Sequence, residues 1–195
     1  MRVSLSSLLL AAALASALPV QSQSAGGLTV TVLDRQGAPL AGAVVALEQA
    51  GLPRQAKPGT EAEMAQRDRQ FSPQVLAVQV GTRVQFPNLD KVRHHVYSYS
   101  RPKTFELKLY LGEAAPPVVF DKPGVVQLGC NIHDQMSAHI VVVATPQFGV
   151  SDARGRVSLP RVAGAGTLRL WHASLGETLL SEPMGNAAEQ TLRLR

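Results

Sequence analysis

The stretch VLAVQVGTRVQFPN, Val75 to Asn88, most constrains what this chain can become. Two short apolar runs are broken at Gly81-Thr82 and stopped at Pro87-Asn88, and they read as strands bounded by turns. The pattern recurs along the chain. Further strands are expected over His94–Tyr99, Phe105–Tyr110, Val118–Phe120, Val125–Cys130 and His139–Val143, beside Val75–Val80 and Arg83–Phe86. Turns fall at Arg101-Pro102, Gly112 and Lys122-Pro123-Gly124. Seven or eight short strands at regular spacing predict an all-β chain, with an antiparallel Greek-key sandwich or barrel across residues 61–144.

The flanks carry the same signals. LTVTVL, Leu28 to Leu33, alternates as a strand; Asp34 to Gly37 is a turn, and Ala43 to Leu47 a second strand. Residues 49–60, with their Gly and Pro, read as a linker. The tail echoes this: FGVSDARGRVSLP places a strand before Asp152 to Gly155, and TLRLWH and TLRLR follow. Two strands cannot bury a core alone. The expectation is that 26–60 and 145–195 fold together as one small β-sandwich, with 61–144 inserted between its halves.

The N-terminus points to export. Arg2 precedes an apolar run from Val3 to Leu18, then Pro19 and small polar residues, as in a secretory signal peptide over residues 1–24. Cleavage is expected between Val20 and Ala25. No cysteine lies nearby to take a lipid anchor, so a soluble periplasmic protein without stable membrane insertion is expected. The 19 Lys and Arg exceed the 14 Asp and Glu by 5, and loss of Arg2 leaves +4. That charge is scattered, with no basic block and no interleaved aromatics, which argues against nucleic acid.

Cys130 is the only cysteine. In an oxidising compartment a lone thiol is buried and inert, paired with another molecule, or held by a metal. Its neighbours favour metal. Cys130, His133 and Met136 give C-x2-H-x2-M in a loop between two strands. Thiolate, imidazole and thioether together suit copper, and a trigonal blue-copper site needs one more histidine. FPNLDKVRHHVYS, Phe86 to Ser98, offers His94 and His95.

Here the sequence resembles the cupredoxins of the plastocyanin and amicyanin type. Phe86, Asn88, His94 and Val96 fit the family's spacing around its first ligand histidine, and GVVQLGCNIHDQMSAHIVVV resembles its cysteine loop and final strand. The resemblance covers Gln74 to Val143. It implies one type 1 copper ion held by His94, Cys130, His133 and Met136, and a role as an electron carrier rather than an enzyme, serving redox protein partners. It further implies that the ring edge of His133 is the electron port, with Ile132 and Leu89 as an apolar rim made more charged by Asp134 and Arg93, and that Asn88 and Asn131 support the ligands. The family usually has Asn where this chain has His95. Alternation places His94, Val96 and Ser98 on one face of the strand and His95, Tyr97 and Tyr99 on the other. Val96 matches an inward position of the family, which favours His94 over His95. Gln135 is an alternative axial oxygen donor to Met136.

The whole chain resembles exported bacterial proteins of the methylamine utilisation or plastocyanin-like group, and its flanks resemble carboxypeptidase regulatory-like, transthyretin-type sandwiches. Two other readings keep the fold: a copper carrier or sensor, or a structural binding module with a degenerate copper site. His139, out of phase with Ile140 and Val142, is expected at the surface. His172 is expected to be structural or exposed, Trp171 to sit in a core or interface, and Asp34 and Asp152 to form turns.

Overall fold

The computed structural model describes residues 27–112, 116–160 and 164–195. The expected signal peptide lies outside them. Among the described residues no helix is long and apolar enough to cross a membrane.

The chain is all-β. The first segment forms β1 (Leu28–Leu33) and β2 (Val44–Gln49). The middle forms β3 (Glu61–Glu63), β4 (Ala65–Arg67), β5 (Gln70–Ser72), β6 (Val75–Gln79), β7 (Thr82–Gln85), β8 (His94–Ser98), β9 (Phe105–Tyr110), β10 (Val118–Phe120), β11 (Gly124–Gly129) and β12 (Ser137–Val143). The tail forms β13 (Phe148–Val150), β14 (Arg156–Leu159), β15 (Gly166–Trp171), β16 (Leu180–Pro183) and β17 (Glu189–Arg193), with a single 3-10 turn at Ala173–Leu175.

Four main sheets stack around three apolar layers. The order β6-β12-β11-β8-β9 faces β10-β7-β3 across a core that includes Phe71, Val84, Phe86, Val96, Phe120, Leu128 and Ile140. The order β13-β2-β15-β16 faces β14-β1-β17 across Val30, Val45, Leu47, Leu168 and Leu192. Between the two sandwiches lies a third layer of Val44, Ala46, Val125, Val141, Val143 and Trp171. Strand periodicity explains how one sequence serves two layers, because alternate side chains point to opposite faces. On β2, Val45 and Leu47 enter the second core while Val44 and Ala46 enter the shared layer. On β12, Ala138, Ile140 and Val142 enter the first core while Val141 and Val143 enter the shared layer. Strands buried on both faces read as near-continuous apolar runs, as VVAL and IVVV do.

Two expectations are corrected. The sheets are not wholly antiparallel: β6 runs parallel to β12, β3 to β7, and β1 to β17. In each case other strands lie between the two partners in the chain, and that intervening path allows the parallel return. Strands β3, β4 and β5 were also not anticipated. Each has three residues, rich in charged and polar side chains, so no alternation marks them in sequence. Tertiary pairing creates them, β3 on β7 and β4 with β5 as a hairpin.

Candidate metal centre

His94 begins β8, and Cys130 and His133 lie in the loop between β11 and β12. The loop is closed by a bond from the Met136 N–H to the His133 carbonyl, 2.9 Å. Cys130 and Met136 are buried in the first core, and His94 is wholly buried. The ligand atoms of His94, Cys130 and His133 lie within 4.8 Å of one another. Nδ1 of His94 is 3.2 Å from Nδ1 of His133, which is 3.8 Å from Sγ of Cys130.

These spacings can be tested against a metal. At bond lengths of roughly 2.0–2.1 Å to nitrogen and 2.3 Å to sulfur, a trigonal plane sets nitrogen to nitrogen at about 3.5 Å and nitrogen to sulfur at about 3.8 Å. The observed distances lie close to both, and two imidazoles with one thiol are the donors a trigonal copper site takes. Met136 is buried in the same cluster as Cys130, whereas Gln135 is exposed. The residues fit the ion.

His94 has a carboxylate partner that was not read from sequence. Its Nε2 is 2.7 Å from Oδ2 of Asp90, four residues earlier. A ring that donates Nε2–H to a carboxylate keeps the Nδ1 lone pair for a metal, and the carboxylate fixes the ring's orientation. Asp90 itself is pinned. Its carboxylate accepts the N–H of Asp68 at 2.6 Å and of Arg69 at 2.9 Å. Those two residues form the tip of the β4–β5 hairpin with φ of 53° and 56°, a left-handed pair that costs non-glycine residues about 1–2 kcal/mol each. One carboxylate thereby joins a strained turn to the His94 ring. Burial pushes the Asp90 pKa up, but the bonds from Arg69, His94 and Asp68 outweigh it, and the net pKa lies below 3.8.

Asn88 braces the same loop. Its amide donates to the carbonyls of Val92 (2.9 Å) and Tyr110 (3.0 Å), and its Oδ1 accepts the Asp90 N–H at 3.0 Å. Beneath it, the buried Gln66 amide donates to the Phe86 carbonyl at 3.2 Å and to the Tyr110 hydroxyl. The isolated signal for Asp90 in the sequence is its place four residues before His94; nothing local marks Gln66 or Tyr110.

The other sequence candidates fall elsewhere. His95 points away from His94: its Nε2 meets Oε1 of Glu106 at 2.8 Å, and its ring packs 5.5 Å from Tyr97. Leu89, Ile132, Arg93, Asn131 and Asp134 are exposed around the centre. His139 is corrected. It is half-buried, with its ring 5.0 Å from Trp171, because the second sandwich covers the face of β12 opposite Ile140. Burial lowers its pKa. His172 caps the 3-10 turn, accepting the Ser174 N–H. Asp34 and Asp152 each accept two backbone N–H groups within their own turns.

No family model matches the chain, and no curated protein matches it. Several solved structures match part of the chain. One is a novel purple cupredoxin from Nitrosopumilus maritimus, at 24% identity over 42% of this chain and 98% of that one, with a TM-score of 0.35. Another is a mutant of amicyanin in its reduced state, at 17% identity over 50% of this chain and 97% of that one, with a TM-score of 0.39. A third is the copper-containing nitrite reductase from Thermus scotoductus SA-01, at 24% identity and a TM-score of 0.41. That match covers 57% of this chain and 28% of the reductase.

Proposed function

We propose that this is an exported type 1 copper protein of the plastocyanin and amicyanin kind, carrying single electrons between periplasmic redox partners. In this reading residues 61–144 are the cupredoxin domain, and 26–60 with 145–195 are a regulatory-like sandwich. The observation that carries it is the convergence of two imidazole Nδ1 atoms and one thiol at 3.2 and 3.8 Å, in a pocket backed by the first core.

Copper bound there would supply outer-sphere exchange of one electron between its two oxidation states. The chain's residues prepare for that in definable ways. Cys130 would hold the ion as a thiolate, so binding would release its proton. Asp90 holds His94 in the tautomer that leaves Nδ1 free. Met136 offers a weak thioether, and its burial with Phe86 and Val96 keeps water from the inner side. A donor set fixed by β8, the ligand loop and the Asp90 bond would resist rearrangement and so would keep the cost of a change in oxidation state small. His133, partly exposed, presents its ring to the surface.

Titration with Cu(II) tests this. An intense blue or green thiolate-to-copper charge-transfer band is expected at one ion per chain, and Cys130→Ala should abolish it. Tight Cu(I) binding without colour would replace the electron carrier by a copper carrier. Absence of any copper binding would sink both.

A further inference from the structure

A groove remains once the metal centre is accounted for. It opens where the outer face of β8 emerges beside the second sandwich. Tyr97 on β8 and Tyr99, the residue just past its end, line it with ring centroids 5.1 Å apart. Tyr99 is 78% exposed, the most exposed large apolar side chain among the described residues. Asp134 from the ligand loop and Glu177 from the second sandwich bring carboxylates to the same cavity, about 740 Å³ in volume. Cys130 and Met136 lie on its wall.

The charge is the informative part. The chain has a net charge of +5, yet among the described residues no Lys or Arg lines this groove. Among the described residues, neither Asp134 nor Glu177 takes part in an ion pair. Exposed aromatic faces with unpaired carboxylates beside them attract cations. An apolar partner would strip water from two carboxylates without compensation, and an acidic one would be repelled. Guanidinium fits better than ammonium, because it is planar, stacks on aromatic rings and is weakly hydrated.

We propose that this groove between the sandwiches docks a partner protein that inserts an arginine side chain against Tyr99 and between Asp134 and Glu177. The site places that partner on the thiol side of the metal centre. Tyr97 lies over Gly129, where an added Cβ would come 2.7 Å from the phenol carbon and oxygen, and Gly129 immediately precedes Cys130. That the partner is a redox protein rests on the electron-transfer reading; the docking chemistry does not.

The test uses the full chain, metal-free, with an acetylated tetraarginine peptide as probe and tetracitrulline as its neutral control. Binding is followed by calorimetry, and the site by NMR shifts of tyrosine ring resonances. Tetraarginine should bind at low salt and shift Tyr97 and Tyr99; tetracitrulline should not. Tyr99→Ala should weaken binding about three- to fivefold. Asp134→Asn with Glu177→Gln should weaken it about tenfold or more. All three positions are exposed, and unchanged unfolding midpoints would show that the variants fold. Binding untouched by these substitutions, a shift confined to Tyr110, or no binding at low salt would overturn the proposal. A chain that binds the peptide but takes no copper keeps the groove and loses the electron-transfer reading. A chain that turns blue but ignores the peptide does the reverse.

Discussion

Asp90 joins three groups through two oxygens: the N–H of Asp68, the N–H of Arg69 and Nε2 of His94. Asp90→Asn removes the charge that all three share. A hydrogen bond to a charged group contributes about 1.5–3 kcal/mol, so a loss of that order in urea unfolding is expected. The pH dependence has a definite sign. The folded pKa of Asp90 is below 3.8, so its stabilisation is complete above that value and is lost as pH falls through the folded pKa. The native chain should therefore lose more stability than Asp90→Asn between about pH 5 and about pH 2.5; equal losses would remove the clamp. The histidine pair offers a second residue-scale prediction. His94→Ala should abolish the copper absorption band, whereas His95→Ala should keep it while losing the Glu106 bond. Equal loss in both variants would contradict the assignment of His94. Alternation on β8 already separated the two rings in sequence. Asp90 was not legible, because its bond spans a loop whose path is set by Asn88 and by a hairpin more than a dozen residues away.

At the scale of elements, β8 and β11 meet at one point, Gly129 opposite Tyr97. The tyrosine ring occupies the space where a side chain on Gly129 would stand. Gly129→Ala should push the ring off β11 and cost about 1–3 kcal/mol through overpacking. The charge-transfer band should also shift, because Cys130 is the next residue. A variant with native stability and an unmoved Tyr97 ring resonance would show that the contact does not matter. Strand existence was well marked in this region: β6 to β12 lie within one or two residues of the runs read from alternation and turns. The hairpin β4–β5 was invisible for a physical reason. A two-residue turn of left-handed residues usually announces itself as Asn-Gly or Asp-Gly. Here Asp68-Arg69 takes that geometry with help from Asp90, a residue in the loop between β7 and β8.

Across the whole molecule, Trp171 is fully buried in the layer between the sandwiches, and its Nε1–H donates to the Gly176 carbonyl at 2.7 Å. Trp171→Ala should cost about 3–5 kcal/mol and separate the unfolding of the two sandwiches into distinct transitions; a single transition of native midpoint would show that the layer does not couple them. His139, which packs on Trp171, gives that layer a pH dependence. Burial lowers its folded pKa below 6.5. Stability is therefore full above 6.5, and it declines as pH falls through 6.5 toward the folded value, because the unfolded chain takes the proton first. Denaturant midpoints at about pH 7.5 and about pH 5.5 should differ more for the native chain than for His139→Gln.

By itself the sequence determined what depends on near neighbours. The all-β class, the strands between Val75 and Val143, the opposite facing of His94 and His95, and the C-x2-H-x2-M loop all follow from period-2 alternation and turn chemistry. Only the tertiary structure decided what faces what. It covered His139 with the second sandwich, tied the β4–β5 turn to His94 through Asp90, ran three strand pairs parallel, and left Tyr97 and Tyr99 open beside Asp134 and Glu177. A strand's pattern says which side chains share a face, but what lies against that face comes from residues far away in the chain.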